Sequence, residues 1–289
     1  MNMRLERRGR RRMNLGQLLS RIGLIALLLT VALGSDFRYS PVSAAPASLE
    51  GLKGELELQL HEHKVELTAN YSGDRDQLSA GVDQMVRDVM ASDDYMRYIV
   101  DSYIYTIRSF GVAAKVKVNI QYRESAGETE EVERRVAELL RTVISVGMTP
   151  EQKVRAIHDW IVTHVRYDES LQHYTAYDAL VDGNAVCQGY ALLVLRMLQD
   201  VGIEARIIEG TVASGSHVWN LVRLGDDWYH LDATWDDPVP DRAGVASHMY
   251  YLKSDAQMRV DHQWDAAAYP AADADASTDT DTKVTSKNL

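Results

Sequence analysis

The sequence predicts an α+β protein: a small α/β domain followed by a core that combines helices with an antiparallel hairpin. Three observations point there. Apolar residues recur at spacings of three and four in some segments and of two in others, the marks of helix and strand. The alternating segments of the second half follow one another directly, joined by a short turn signal, as antiparallel strands do. The chain has 289 residues, 46% hydrophobic and 25% charged, which is globular composition with material for a real core.

The first 44 residues read as an export segment. Arg4, Arg7, Arg8, Arg10, Arg11 and Arg12 precede the apolar run Ile22–Leu33, and Val42-Ser43-Ala44 or Ser43-Ala44-Ala45 offers small residues for cleavage. Twelve apolar residues in a helix span only about 18 Å, short of a hydrocarbon core of about 30 Å. A cleaved leader is expected, with a retained anchor as the alternative; both put the body in the cell envelope or outside the cell. The formal net charge is -11, and the export segment holds eight of the 31 basic residues but only Glu6 and Asp36 of the 42 acidic ones. The body is therefore more acidic still, which argues against nucleic acid as a partner and confines membrane contact to an uncleaved N-terminus.

Residues 45–147 are expected to form the α/β domain. Leu56–Tyr71 contains alternating stretches that suit strands, and residues 74–109 read as helix, with Leu78, Val82, Met85, Val86 and Met90 on one face, stopping at Gly111. Val112–Tyr122 alternates again. Glu128–Val146 is an acidic-starting helix with Val132, Val136, Leu139, Leu140 and Val143 on one face.

Residues 148–268 are expected to form the second unit. Thr149-Pro150-Glu151-Gln152 combines an N-cap, a proline at the first helical position and a capping-box glutamine, ahead of Val154, Ile157, Trp160, Ile161 and Val165. A second helix should start at Asn184 and stop at Gly202, with a strand over Ala205–Glu209. His217–Leu224 and Trp228–Trp235 should form a hairpin about Gly225-Asp226. Residues 269–289 are rich in Asp, Ala, Ser and Thr and are expected to be a disordered tail.

Chemistry concentrates around the single cysteine. An exported protein normally pairs its cysteines, and Cys187 has no partner in the chain. Placed about three residues into a helix, its thiolate would feel the positive end of the helix dipole, and the unpaired N–H groups nearby could receive an oxyanion. With a two-residue type II′ turn, Leu224 pairs with Asp227, Asp232 falls opposite Trp219, and His217 and Asp232 become diagonal neighbours on one face. That arrangement suits nucleophile, base and orienter.

The blocks Ala185-Val186-Cys187-Gln188-Gly189-Tyr190-Ala191, Gly202-Ile203-Glu204-Ala205-Arg206, His217-Val218-Trp219-Asn220 and Trp228-Tyr229-His230-Leu231-Asp232 closely resemble the transglutaminase-like superfamily. The resemblance covers about 148–265, including Ile157-His158-Asp159-Trp160 and Tyr251-Leu252-Lys253-Ser254-Asp255. It implies a papain-like core, with a Cys-bearing helix packed on an antiparallel sheet, and it assigns catalytic roles to Cys187, His217 and Asp232. The tryptophan that animal crosslinking enzymes use in the transition state has no matching position here, and no calcium site is arranged.

The expected activity is a cysteine acyltransferase or hydrolase acting on protein or peptide amides through a thioester. The alternatives are a non-catalytic envelope binding module that keeps the fold, and regulation through the lone thiol. Neither cofactor nor metal is expected. His61-Glu62-His63 reads as an exposed polar strand rather than a metal site, and His158, His164 and His173 receive no role. Trp219, Trp228 and Trp235 are expected in the core or along cleft walls. His262 and Trp264 are expected to pack near the site.

Overall fold

The computed structural model describes residues 45–111, 113–237 and 244–274. The export segment expected at 1–44, and the tail beyond 274, lie outside the described residues.

The described residues open on helix α1 (Leu49–His61), capped by the Ser48 hydroxyl, which accepts from the Gly51 N–H. This corrects the strand reading of Leu56–His61. Leu56, Leu58 and Leu60 satisfy a period of two, but the burial follows the helical set: Leu52, Leu56 and Leu60 are fully buried, while Leu58 is 69% exposed. His61 ends this helix, Glu62 caps it, and His63 follows at φ +55, its Nε2 3.0 Å from the Glu124 carbonyl oxygen. His61-Glu62-His63 is therefore a helix terminus and not a strand.

Strand β1 (Glu66–Tyr71) leads into α2 (Arg75–Met90) and α3 (Asp94–Ile99), each capped by an aspartate, Asp74 and Asp93. Strand β2 (Val100–Phe110) follows where helix was expected. The helical stripe ends at Met90; beyond it Tyr103, Tyr105 and Ile107 alternate, and pair with Ile120, Val118 and Val116 of β3 (Ala113–Tyr122). Such aromatic and β-branched cross-strand pairs favour a sheet over a helix. The sheet order is β1-β3-β2, antiparallel throughout. Helix α4 (Ala126–Val143) then starts with a Ser125–Glu128 capping box.

The second half begins with α5 (Pro150–His164), where the predicted Thr149–Gln152 capping box is present. Two-residue strands β4 (Arg166–Tyr167) and β5 (Asn184–Ala185) pair in parallel, separated by a loop and a π-helical turn, Asp178–Asp182. Helix α6 (Cys187–Asp200) is buried along nearly its whole length, including Tyr190, Leu192, Leu195 and Leu198. It ends at Gly202, whose φ of +76 suits glycine. Strands β6 (Ala205–Val212), β7 (Gly215–Leu224) and β8 (Asp227–Leu231) lead to the short helices α7 (Ala233–Asp236) and α8 (Asp255–Met258) and to β9 (Gln263–Trp264). These strands make an antiparallel sheet in the order β8-β7-β6-β9.

One apolar core runs from Leu52 in α1, through α6, to Leu252, so the boundary near Met148 separates two sheets but not two cores. Around α6, polar contacts join the halves: Gln188 donates to the Tyr98 carbonyl at 2.8 Å, Arg97 meets Glu209 at 2.9 Å and Arg206 meets Asp94 at 3.1 Å. Glu124 is fully buried, and accepts from the Tyr95 hydroxyl at 2.5 Å, the Thr129 hydroxyl at 2.8 Å and the Tyr177 N–H at 3.1 Å. A smaller cluster holds Ile208, Trp219, Leu221, Met258 and Ala272. Ala272 is fully buried and the Tyr269 hydroxyl accepts from the Glu209 N–H, so the fold continues past the boundary expected at 268.

Candidate active site

Cys187 is the first residue of α6 rather than the third or fourth of a longer helix. Asn184 and Ala185 are drawn into the pairing with β4, and the helix starts only after Val186, whose extended backbone (φ -84, ψ 176) forms an N-cap without a side-chain cap bond. The thiol is half-buried at the mouth of the first turn, beside N–H groups that no helical carbonyl can reach. Gly189 lets this end approach its surroundings: a Cβ there would meet the Thr175 carbonyl oxygen at 2.8 Å and the Ala185 Cβ at 2.6 Å.

The hairpin forms in the predicted register. Leu224 pairs with Asp227, Arg223 with Trp228 and Leu221 with His230. Gly225 has φ +65 and Asp226 does not share a positive φ, the pattern of a type II′ turn. The ladder is shorter than expected, because its last pair is Asn220 with Leu231. Asp232 therefore does not pair with Trp219. It leaves the sheet and caps α7, its Oδ1 accepting from the N–H groups of Thr234 at 3.0 Å and Trp235 at 3.1 Å. The carboxylate still meets the predicted histidine: His217 Nε2 lies 2.7 Å from Asp232 Oδ2.

Cys187 and His217 line the same cleft, and the thiol acts on the imidazole. Since Nε2 faces Asp232, the thiol is left to Nδ1. Cys187, His217 and Asp232 are thus brought together in the order that the sequence predicts. His217 is 6% exposed and Asp232 1%. Burial alone would lower the imidazole pKa, but the hydrogen bond and charge of Asp232, helped by Cys187, push it up to about 10. Burial likewise works to raise the Asp232 carboxyl; its contacts to His217, His262 and the Trp235 N–H overcome that and hold it below the usual range. Both shifts favour the charged forms, imidazolium and carboxylate. A cleft of about 430 Å³ opens over it, lined by Tyr167, Cys187, Ser216, His217, Thr234 and Trp235.

Residues 137–233 match the model of the transglutaminase-like superfamily. The chain carries a transglutaminase-like core. Kyphoscoliosis peptidase of Homo sapiens is 28% identical over 148 residues, 43% of this chain, and the mouse protein matches equally. The match spans 22% of the length of those relatives. Among solved structures, a TGase aligns with TM-score 0.35 at 10% identity, covering 58% of this chain and 50% of the other. A protein from Cytophaga hutchinsonii assigned as a cysteine protease aligns with TM-score 0.33 at 16% identity, covering 50% and 68%.

Around this core the structure adds groups to which the sequence reading gave no catalytic role. His262, expected near the site, contacts Asp232 Oδ2 at 3.1 Å. Trp235 packs against His217 and His262, with centroid separations of 6.0 and 4.5 Å. Trp219 lies beside His217 and donates from its indole N–H to His230 Nδ1 at 2.9 Å. Tyr167 reaches the cleft because its short strand lies alongside the one that precedes Cys187. Only the Tyr167-Asp168 step at the end of a helical stripe hints at this. The Asp168 carboxylate shapes the adjoining loop, accepting from the N–H groups of Ser170, Gln172 and His173.

Among the described residues, three groups have the spacing of metal ligands: His158 with Asp159 and His248; His217 with Asp232 and His262; and His173 with Asp178 and Asp182. Each is explained by its own contacts. In the first, Asp159 Oδ1 is shared by His158 Nδ1 at 3.0 Å and His248 Nε2 at 2.6 Å, and Arg155 binds Asp159 Oδ2. The second group belongs to the site just described. In the third, His173 faces Asp168, while Asp178 accepts from Thr175.

Proposed function

We propose that this protein is an exported cysteine acyltransferase or hydrolase that acts on protein or peptide amides through a thioester on Cys187. The observation that carries the reading is the bond from His217 Nε2 to the buried Asp232 carboxylate, with Cys187 lining the same cleft as His217. In the proposed reaction His217 holds the thiol proton as imidazolium while the Cys187 thiolate adds to the amide carbonyl carbon. The carbonyl π electrons move to oxygen, and first-turn N–H groups of α6 receive the oxyanion. Collapse of the adduct re-forms the C=O and expels the amine or ammonia, which takes its proton from His217. Water then releases the acid; a lysine amine would instead form a new amide. The open cleft and the peptidase match favour hydrolysis of the two. The arginine-rich leader supports export.

The test exploits the single cysteine. The protein is treated with iodoacetamide at about pH 6, where an ordinary thiol reacts slowly, and with p-nitrophenyl acetate, while p-nitrophenolate release and the acetyl adduct are followed by absorbance and mass spectrometry. Rapid alkylation and an acetyl-enzyme on Cys187, both lost in His217→Ala, are expected. A thiol indifferent to His217 in both reactions would overturn the reading.

A further inference from the structure

We infer that His262 is a positioning residue of this site, holding the Asp232 carboxylate that orients His217; the inference rests on the acyl-transfer reading above. Asp232 uses both oxygens. Oδ1 is fixed by the Thr234 and Trp235 N–H groups of its own cap, whereas Oδ2 is shared by His217 Nε2 at 2.7 Å and His262 Nε2 at 3.1 Å. The second imidazole is fully buried and is itself held at the far side, where His262 Nδ1 lies 2.6 Å from Asp261 Oδ1. Asp261 in turn accepts from the Tyr250 hydroxyl at 2.6 Å. The His262 ring packs among Trp219, Trp235 and Tyr250, with centroids 5.0, 4.5 and 5.4 Å away, so neither rotation nor translation is open to it without moving an aromatic ring.

The backbone explains how so distant a residue arrives there. Gly210 of β6 pairs with His217 on one side and with Trp264 of β9 on the other. One strand thus fixes the height of both histidines against the same carboxylate. His262 lies outside residues 137–233, the stretch that matches the superfamily model. The role is not that of a second base. The contact runs to Asp232, and the burial of the ring closes it off from the cleft, whose lining does not include it. A buried orienting carboxylate is useful only in one rotamer, and a second, immobile partner on Oδ2 selects it.

The test compares His262→Ala, His262→Gln and Asp261→Asn in the full-length protein, with rates expressed per folded molecule and thermal midpoints measured alongside. His262→Ala should slow acylation by p-nitrophenyl acetate tenfold to a hundredfold, and His262→Gln, whose amide can still donate to Oδ2, should recover most of that. Asp261→Asn, which touches none of Cys187, His217 and Asp232, should cost a few-fold; it serves if the alanine variant does not fold. Unchanged acylation per folded molecule in His262→Gln and Asp261→Asn, with only the thermal midpoints lowered and no deficit for glutamine to rescue in His262→Ala, would overturn the inference and make His262 a packing residue. If the wild-type protein itself shows no His217-dependent acylation, the proposed function fails first and takes this inference with it.

Discussion

Two buried histidine–aspartate pairs stand at opposite ends of the same four-residue helix, and only one of them meets a cysteine. At the N-terminal end Asp232 binds His217 at 2.7 Å; at the C-terminal end Asp236 binds His158 of α5 at 3.1 Å. His158 and Asp236 are fully buried, and His217 and Asp232 nearly so. Both imidazoles are raised against the pull of burial by their carboxylates, Asp232 for His217, and Asp159 with Asp236 for His158. What differs is the remaining face of each ring. His217 lines an open cleft together with Cys187. His158 spends its other nitrogen on Asp159 at 3.0 Å, and Asp236 is further tied to Ser247 and the Tyr250 N–H. A buried His–Asp pair is therefore a clamp when both ends are occupied by the protein, and a base when one end is left for a reactive group. The clamp serves the base, because it anchors the helix that Asp232 caps.

The largest effect should separate the two pairs by chemistry. Asp232→Asn should keep the protein folded yet lower acylation by roughly 10⁴-fold, the scale seen when an orienting carboxylate is made neutral in a comparable triad. Asp236→Asn should leave the per-molecule rate within a few-fold of wild type. Stopped-flow acylation of both variants checks this, and an equal loss in the two would erase the distinction. The clamp should show itself in stability instead. Asp236→Ala leaves the buried His158 ring with only the half-buried Asp159 as partner, and should destabilise by about 3–5 kcal/mol, read from urea unfolding followed by tryptophan fluorescence.

The pH profile sharpens the comparison. A raised imidazole contributes stability that is fully present below its unfolded pKa of about 6.5 and is lost as pH rises through the folded value, about 10 for His217. The lowered carboxyls of Asp232 and Asp159 work in the opposite sense, their contribution disappearing as pH falls below the usual carboxylate range. The thermal midpoint should therefore be highest between these limits and decline toward both. In His217→Gln the alkaline decline should be shallower but not absent, since His158 remains. A variant with the same alkaline slope as wild type would show that His217 is neutral in the folded protein.

How much of this was legible beforehand depended on sequence distance. The turn Gly225-Asp226 and the alternation on either side of it are local, so the register between His217 and the following strand could be counted residue by residue, and it is the one observed. The end of that strand could not be counted, because Asp232 leaves it for a cap whose N–H donors lie in the next helix while its own N–H bonds to the Tyr250 carbonyl. Two local periods are ambiguous. Glu55-Leu56-Glu57-Leu58-Gln59-Leu60 fits both strand and helix, and only the outward Leu58 decides; Val100–Phe110 follows a helical stripe that ends at Met90 with no glycine or proline to mark the change to strand. The partners of His158 and His262 are out of reach of such counting. Asp236 is 78 residues from His158, and Asp232 is 30 from His262, separations across which no periodicity speaks.

The smallest effect belongs to α5, the helix that carries His158. Its start is set by Thr149, which accepts from the Gln152 N–H, while the Gln152 side chain accepts from the Thr149 N–H. Thr149→Ala removes one half of this exchange at an exposed site and should cost about 1 kcal/mol. The loss should appear wholly in the unfolding free energy, with acylation per folded molecule unchanged, because the frayed turn lies two helical turns from His158 and His158 reaches the reacting groups only through Asp236. If Thr149→Ala slowed acylation as well, the clamp would be transmitting small displacements of α5 to Asp232, and the division between a pair that holds and a pair that reacts would have to be replaced by one coupled unit.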